Sequence, residues 1–190
     1  MTAYILFPMM AGLAAVAPRM VELLLTDSWL DCVPYLQLAC LYSMFHIITD
    51  ANLQSINAIG RSDVVLRLEF VKKPVTLLII LIALQFDILA IGISLPVSAF
   101  FSMLVNMHAN SRLIHYSFRE QFGDIAAPFA LSGLMFACVY PMSVLDLSAL
   151  AVLVLQVATG AAVYVLASVV TKNDSFTYLL GYLKDKLKKQ

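Results

Sequence analysis

The sequence predicts an all-α membrane protein: a polytopic bundle of six transmembrane helices followed by a short amphipathic C-terminal helix. Of the 190 residues, 62% are hydrophobic and only 13% are charged, whereas a soluble domain typically has about 25% charged residues. The apolar residues also form long runs, and about 20 of them in a helix are needed to cross the hydrocarbon of a bilayer. Composition and run length together exclude an ordinary soluble domain.

Six predicted spans divide the chain into a transmembrane region, residues 1–171, and a basic cytoplasmic tail, residues 172–190. In order, the spans are Ala3–Leu25, Val33–Ile59, a third that begins near Asp63 and is apolar from Pro74 to Phe86, Ile88–Tyr116, Ile125–Val144 and Ser148–Val170. No basic residue precedes the first span, which is also too long for a signal-peptide core, so we expect it to remain in the protein.

The tail is predicted to form a basic amphipathic helix. From residue 176 its apolar residues recur at helical spacing, and four lysines follow near its end. This pattern suits a helix lying on an anionic leaflet, and a solvated tail is the alternative.

The basic residues are segregated along the chain. Eleven of the twelve lie in 60–73, 112–124 and the tail, and Arg19 is the exception. The alternate connections, 26–31, 86–87 and 145–147, contain aspartates but no lysine or arginine. Because basic loops stay in the cytoplasm, both termini are predicted to be cytoplasmic.

Two of the predicted helices carry polar residues at helical spacing. Along the second span and just beyond its end they are His46, Asp50, Gln54, Asn57 and Arg61, and on the fourth they are Ser94, Ser98, Ser102, Asn106 and Asn110. We expect the first stripe to face the bundle interior or a water-filled cavity, while the apolar faces, including Ile48 and Ile56, meet lipid. The alternative for Asp50 and for the serines is that they only fix helix packing.

Charges near the ends of spans have two interpretations each. Arg19 and Glu22 lie three residues apart near the predicted outer end of the first helix, where they form either a self-neutralising ion pair or part of a cavity wall at the outer mouth. Lys72 and Lys73 precede Pro74 at the cytoplasmic edge. They either snorkel to lipid headgroups or hold a phosphate.

Enzyme motifs are absent from the sequence. It contains no GxSxG, no HExxH and no glycine-rich phosphate loop, and its three cysteines and three histidines lack ligand spacing. We therefore expect neither an enzyme nor a cofactor, metal or nucleic-acid binder.

A series of short motifs begins with Pro8–Ala17 (PMMAGLAAVA), continues through Trp29 and Val33–Gln37 (VPYLQ), and ends with Asn57–Asp63 (NAIGRSD) before the Lys72-Lys73 pair. The series resembles the C-terminal part of the Wzx-like polysaccharide flippases, in the multidrug/oligosaccharidyl-lipid/polysaccharide exporter superfamily. These proteins move undecaprenyl-pyrophosphate-linked oligosaccharides across the bacterial inner membrane for polysaccharide and lipopolysaccharide biosynthesis. They have twelve to fourteen helices in two lobes, so we expect this chain to be a fragment matching the last six.

The resemblance implies a substrate site at the polar helices. Arg61, Lys72 and Lys73 would meet the pyrophosphate, and the sugar hydroxyls would be met by Asp50, Gln54, Asn57, Asn106 and Asn110. The implied partners are the lipid-linked oligosaccharide, the bilayer, and either missing N-terminal helices or a self-associated copy, because one polar wall alone cannot enclose a headgroup. The alternatives are a drug or ion antiporter of the same superfamily, a non-transporting membrane partner and a degraded gene product.

Overall fold

The computed structural model describes residues 2–114, 116–145 and 148–170, and the regular secondary structure of this part of the chain is entirely helical. The α-helices are α1 (Thr2–Leu25), α2 (Val33–Ala58), α3 (Ser62–Ala83), α4 (Ile88–Leu113), α5 (Phe118–Val139) and α6 (Ala149–Val170). Two 3₁₀-helices, Asp27–Cys32 and Tyr140–Val144, follow α1 and α5. The predicted all-α membrane fold is confirmed, and the predicted tail helix lies outside the described residues.

Five segments of the described chain are long and apolar enough to span a membrane. They contain α1, α2, α4, α5 with the 3₁₀-helix after it, and α6. The exception, α3, has 22 residues, enough to cross roughly 30 Å at about 1.5 Å per residue. However, five of its first twelve residues are charged, so a spanning α3 stays a prediction.

The described residues form two compact units. The central unit, Ser28–Ile125, contains α2, α3 and α4, and the terminal unit combines α1 and α6 with α5 from Ala126. The predicted boundary at residue 171 lies outside the described residues.

Packing between α2 and α4 forms the core of the central unit. Gly92 of α4 permits close approach, since a Cβ there would lie 3.1 Å from Leu38 Cδ1 and 3.2 Å from Tyr35 Cδ1. Ile48 and Ile56 are buried on α2, so the prediction that these two residues face lipid is wrong. Because small residues of α4 let the two helices approach closely, this apolar face of α2 packs in the helix interface.

Helix ends in the central unit follow from local sequence. After α2, Gly60 has a φ of +74°, its N–H donates to Asn57 O, and the Arg61 N–H donates to Ile56 O. These two bonds form a Schellman cap, for which glycine is the usual residue. At the start of α4, the Asp87 carboxylate accepts from the Ala90 N–H at 2.9 Å, an N-cap that satisfies a free backbone donor.

The fifth helix begins earlier than the predicted Ile125. Ser117 precedes it, and the Ser117 N–H donates to Glu120 Oε2 at 3.0 Å, which is one half of a capping box. Hydropathy identifies only the apolar part of the helix, which suits hydrocarbon. The cap lies in the polar segment before that part, so the helix begins earlier than its apolar residues do. At the other end, Pro141 cannot donate the next α-helical bond, and the chain continues as a 3₁₀-helix.

The terminal unit shows how a proline is accommodated inside a helix. Pro8 lacks the N–H that would donate to the carbonyl of Tyr4. The Tyr164 hydroxyl of α6 donates to that carbonyl instead, at 2.7 Å. The proline in α1 thus creates an acceptor that joins α1 to α6, in the way that neighbouring helices satisfy freed backbone groups within a membrane.

Candidate functional site

A polar recess lies between α2, α3 and α4 in the central unit. Its volume is about 210 Å³. The residues that give it its chemistry are His46 and Asp50 of α2, Glu69, Lys72 and Lys73 of α3, and Ser98 of α4. Two carboxylates and two ammonium groups therefore meet in one recess among helices that are otherwise mainly apolar.

The α3 wall of the recess is a carboxylate shared by two lysines. Lys72 is only 5% exposed, and its Nζ lies 2.5 Å from Glu69 Oε1. The Lys73 Nζ lies 3.8 Å from the other oxygen of Glu69, and its side chain is 80% exposed. A buried ammonium group requires a counter-charge, so Glu69 is what allows Lys72 to be buried here.

The α2 wall pairs a histidine with an aspartate one helical turn later. His46 Nδ1 lies 3.1 Å from Asp50 Oδ2, and both side chains are about half exposed. The Tyr42 ring lies against the His46 ring, with centroids 5.3 Å apart. This wall offers a carboxylate acceptor and a pair of aromatic rings to anything that enters the recess.

Hydroxyl groups from α4 complete the recess. Ser98 and Ser102 line it together with Thr76 of α3. Ser98 Oγ is buried and has no hydrogen-bond partner within the described chain. Because a buried hydroxyl without a partner costs free energy, Ser98 is a group that a bound polar ligand would satisfy.

The recess brings together three of the predicted substrate contacts, Asp50, Lys72 and Lys73. Gln54, Asn57 and Arg61, in contrast, are exposed and do not line it. The stripe on α2 is thus not one continuous cavity wall, because the packing on α4 buries a neighbouring face that contains Thr49 and Asn52. Contact of Gln54 and Asn57 with a substrate stays a prediction.

Arg61 already has a carboxylate partner. Its Nε donates to Asp63 Oδ1 at 3.1 Å at the start of α3. The hydrogen bond from Arg61 holds the pKa of the Asp63 carboxyl below its usual value. Arg61 is therefore neutralised locally in this conformation, at a point outside the recess.

The two predicted asparagines of α4 lie in the α2–α4 interface. Asn106 Nδ2 donates to the Thr49 carbonyl at 3.4 Å, and Asn110 Nδ2 donates to Asn52 Oδ1 at 2.7 Å. Both are buried. Here they join two helices, as polar side chains often do within membranes, and their contact with a sugar stays a prediction.

Arg19 and Glu22 form the expected ion pair in the terminal unit, with Arg19 Nη1 2.8 Å from Glu22 Oε2. Two further bonds of Arg19 were not predicted from the sequence. Arg19 also donates to the carbonyls of Ser143 at 2.9 Å and Leu145 at 3.1 Å. A cation at the end of a helix satisfies carbonyls that have no helical donor, so Arg19 ties α1 to the 3₁₀-helix that follows α5.

A second concave surface lies in the terminal unit. It has a volume of about 550 Å³ and is lined mainly by apolar residues of α1 and α6, including Met9 and Val157. Its one amide, Gln156, is fully buried, and its Nε2 donates to the Val139 carbonyl at 3.3 Å. This groove lacks charged groups and does not resemble a headgroup site.

Glu69 is a residue of the recess that was not predicted to contact a substrate. The signal was visible, because Glu69 precedes Lys72 by three residues and Lys73 by four, the spacings at which helical side chains meet. Tyr42 and Thr76 had no comparable signal, since they belong to the site only through the packing of three helices.

Comparison with known proteins supports a role connected with polysaccharides. A family profile described as "Polysaccharide biosynthesis protein" matches residues 1–34, which contain α1, the first 3₁₀-helix and the start of α2. The match includes the Pro8–Ala17 motif but does not reach Asn57–Asp63. No curated protein and no solved structure shows significant similarity to the chain.

Proposed function

We propose that the chain takes part in moving an undecaprenyl-pyrophosphate-linked oligosaccharide across the bacterial inner membrane, as a transporter and not as an enzyme. The observation that carries this proposal is the recess of the central unit, which places two lysines beside an aspartate, a histidine and several hydroxyls. The membrane fold and the similarity of residues 1–34 to polysaccharide biosynthesis proteins support it.

The chemistry of the recess suits the polar part of such a lipid. Pyrophosphate that joins a lipid to a sugar carries two negative charges, and lysine ammonium groups bind phosphate oxygens through charge-assisted hydrogen bonds. At about 210 Å³ the recess is smaller than the roughly 300–1,000 Å³ pockets that enclose drug-sized ligands. It therefore suits the pyrophosphate with the first sugar, while the lipid tail stays among the exposed apolar side chains.

The opposite wall of the recess suits a sugar. Asp50 can accept hydrogen bonds from sugar hydroxyls, and the unpartnered Ser98 hydroxyl can donate or accept one. The Tyr42 and His46 rings offer apolar faces for the C–H groups of a sugar ring. Lysines on one side and Asp50 with the rings on the other match a headgroup that is anionic at one end and neutral at the other.

The proposed orientation follows the segregation of basic residues, with both termini in the cytoplasm and the recess lysines near the cytoplasmic face. Gln54 and Asn57 are exposed on a helix long enough to span the membrane, and Arg61 is exposed just after the end of that helix. Since polar groups that face lipid cost free energy, we propose that further helices cover this surface. They come from another part of the same flippase or from a second copy of the chain.

Export in the native host tests the proposal. Lys72→Gln with Lys73→Gln should lower surface polysaccharide at least about tenfold, because each lost charge-assisted bond to phosphate contributes roughly 1.5–3 kcal/mol. Lys72→Arg with Lys73→Arg keeps both charges and should retain most of the export. Arg67→Gln, an exposed site on the same helix, is the matched control and should have no effect. Normal export by the double glutamine variant at normal membrane levels would show that the lysines only meet lipid headgroups.

A further inference from the structure

We propose that Glu69 is an internal counter-anion that competes with the headgroup for Lys72 and Lys73, keeps the affinity of the recess low, and so promotes release. This inference rests on the proposed function. Anion binding alone does not require Glu69, because a negative charge beside both lysines opposes the binding of an anion. The inference gives this carboxylate a role.

The competition follows from the geometry of α3. Glu69 contacts Lys72 at 2.5 Å with one oxygen and approaches Lys73 at 3.8 Å with the other. All three residues line the recess, so a phosphate oxygen that binds the buried Lys72 either displaces the Glu69 carboxylate or lies beside it, and both cost free energy. The contacts lie within a single helix at i,i+3 and i,i+4, and Glu69 therefore stays beside the lysines whatever α2 and α4 do.

The other groups that face the recess cannot replace Glu69 in this role. The α2 wall contributes Asp50 and His46, which pair with each other at 3.1 Å. The α4 wall contributes serines and an alanine and no titratable group. Within the described chain, Glu69 is thus the one carboxylate of the recess that is paired with the lysines.

A counter-anion of this kind suits transport. A site that moves its ligand must bind it well enough for entry and weakly enough for exit. While the headgroup is bound, Glu69 is without its partner, and its return to Lys72 offsets part of the free energy lost when the headgroup leaves. Buried Lys72 then has a counter-charge in both the loaded and the empty states, as a buried ammonium group requires.

The test is equilibrium and stopped-flow binding to the purified full chain in nanodiscs, with two matched probes. One is glucose linked to farnesol through pyrophosphate, and the other is the uncharged farnesyl glucoside. Glu69→Gln should tighten binding of the pyrophosphate probe about twofold to fivefold, the range that corresponds to the loss of one partly exposed charge that competes for the lysines. It should also slow dissociation of that probe and leave binding of the glucoside unchanged.

Three variants make the result specific. Asp31→Asn is the matched control, since it removes an exposed carboxylate in the 3₁₀-helix before α2, outside the recess, and it should leave both probes unaffected. Glu69→Asp keeps a charge near Lys72 but shortens the side chain, so it should tighten pyrophosphate binding by a smaller factor, even if the glutamine variant folds poorly. Lys72→Gln with Lys73→Gln should weaken binding of the pyrophosphate probe.

The outcomes separate the inference from the function beneath it. If binding of the pyrophosphate probe depends on the lysines but Glu69→Gln weakens it or leaves it unchanged, Glu69 only supports the helix and the inference is overturned. If the lysine variant binds that probe as wild type does, the proposed function fails at this site, and the inference fails with it.

Discussion

A membrane-impermeant maleimide applied to right-side-out vesicles should label Gln85→Cys completely and should leave Ser62→Cys unlabelled. The two positions lie at opposite ends of α3, and both are exposed. The contrast is all-or-none, because a residue is reached from one side of the membrane or from the other. The native cysteines must first be replaced, since Cys32, Cys40 and Cys138 are all free.

The experiment decides whether α3 crosses the bilayer. The first twelve residues of α3 place five ionisable groups in or near the membrane, which would be costly for an isolated helix. The Glu69–Lys72 pair reduces that cost by turning a neutralised pair toward the recess. Permeabilised vesicles should label both positions. If neither position is labelled before permeabilisation, α3 remains on the cytoplasmic side, and if Ser62→Cys is labelled, the orientation is inverted.

Arg19→Gln should destabilise the protein by about 2–4 kcal/mol, because it removes an ion pair and two bonds from a charged donor to backbone carbonyls. Part of this loss comes from leaving Glu22 without its partner. The double variant Arg19→Gln with Glu22→Gln should therefore recover about 1 kcal/mol. The free energies of unfolding of the wild type, the single variant and the double variant are measured by unfolding the purified proteins in mixed micelles with increasing dodecyl sulfate.

The exposed Arg119 provides the control for the loss of a positive charge. Arg119→Gln should change stability by less than about 0.5 kcal/mol, as surface substitutions usually do. Equal stability of Arg19→Gln and wild type would mean that the bonds to Ser143 and Leu145 contribute nothing measurable.

The fold was largely predictable because the membrane imposes long apolar helices. The predicted first, second and sixth helices agree with α1, α2 and α6 to within one residue at each end. The start of α5 was missed because Ser117 and Glu120 form their cap within a polar segment. Hydropathy identifies segments that suit lipid, whereas the residue at which a helix begins depends on backbone capping, which hydropathy does not detect.

The candidate site was predictable only in part. Lys72, Lys73 and Asp50 stood out because charges in apolar segments are costly. Which face of α2 is buried depends on the small residues of α4, so the sequence of α2 alone could not show that Ile56 packs inside while Gln54 is exposed. Likewise, Asn110 was recognisable as a polar residue on α4, but its bond to Asn52 depends on the register between two helices.

The central claim is that the recess of the central unit binds an anionic headgroup through Lys72 and Lys73. Its most direct measurement is the dissociation constant of the pyrophosphate-linked glucose probe for the wild-type chain and for the double glutamine variant in nanodiscs. We expect the variant to bind at least about tenfold more weakly, while Arg67→Gln binds as wild type does. Equal affinity in all three proteins would contradict the claim, and the headgroup would then have to be held elsewhere.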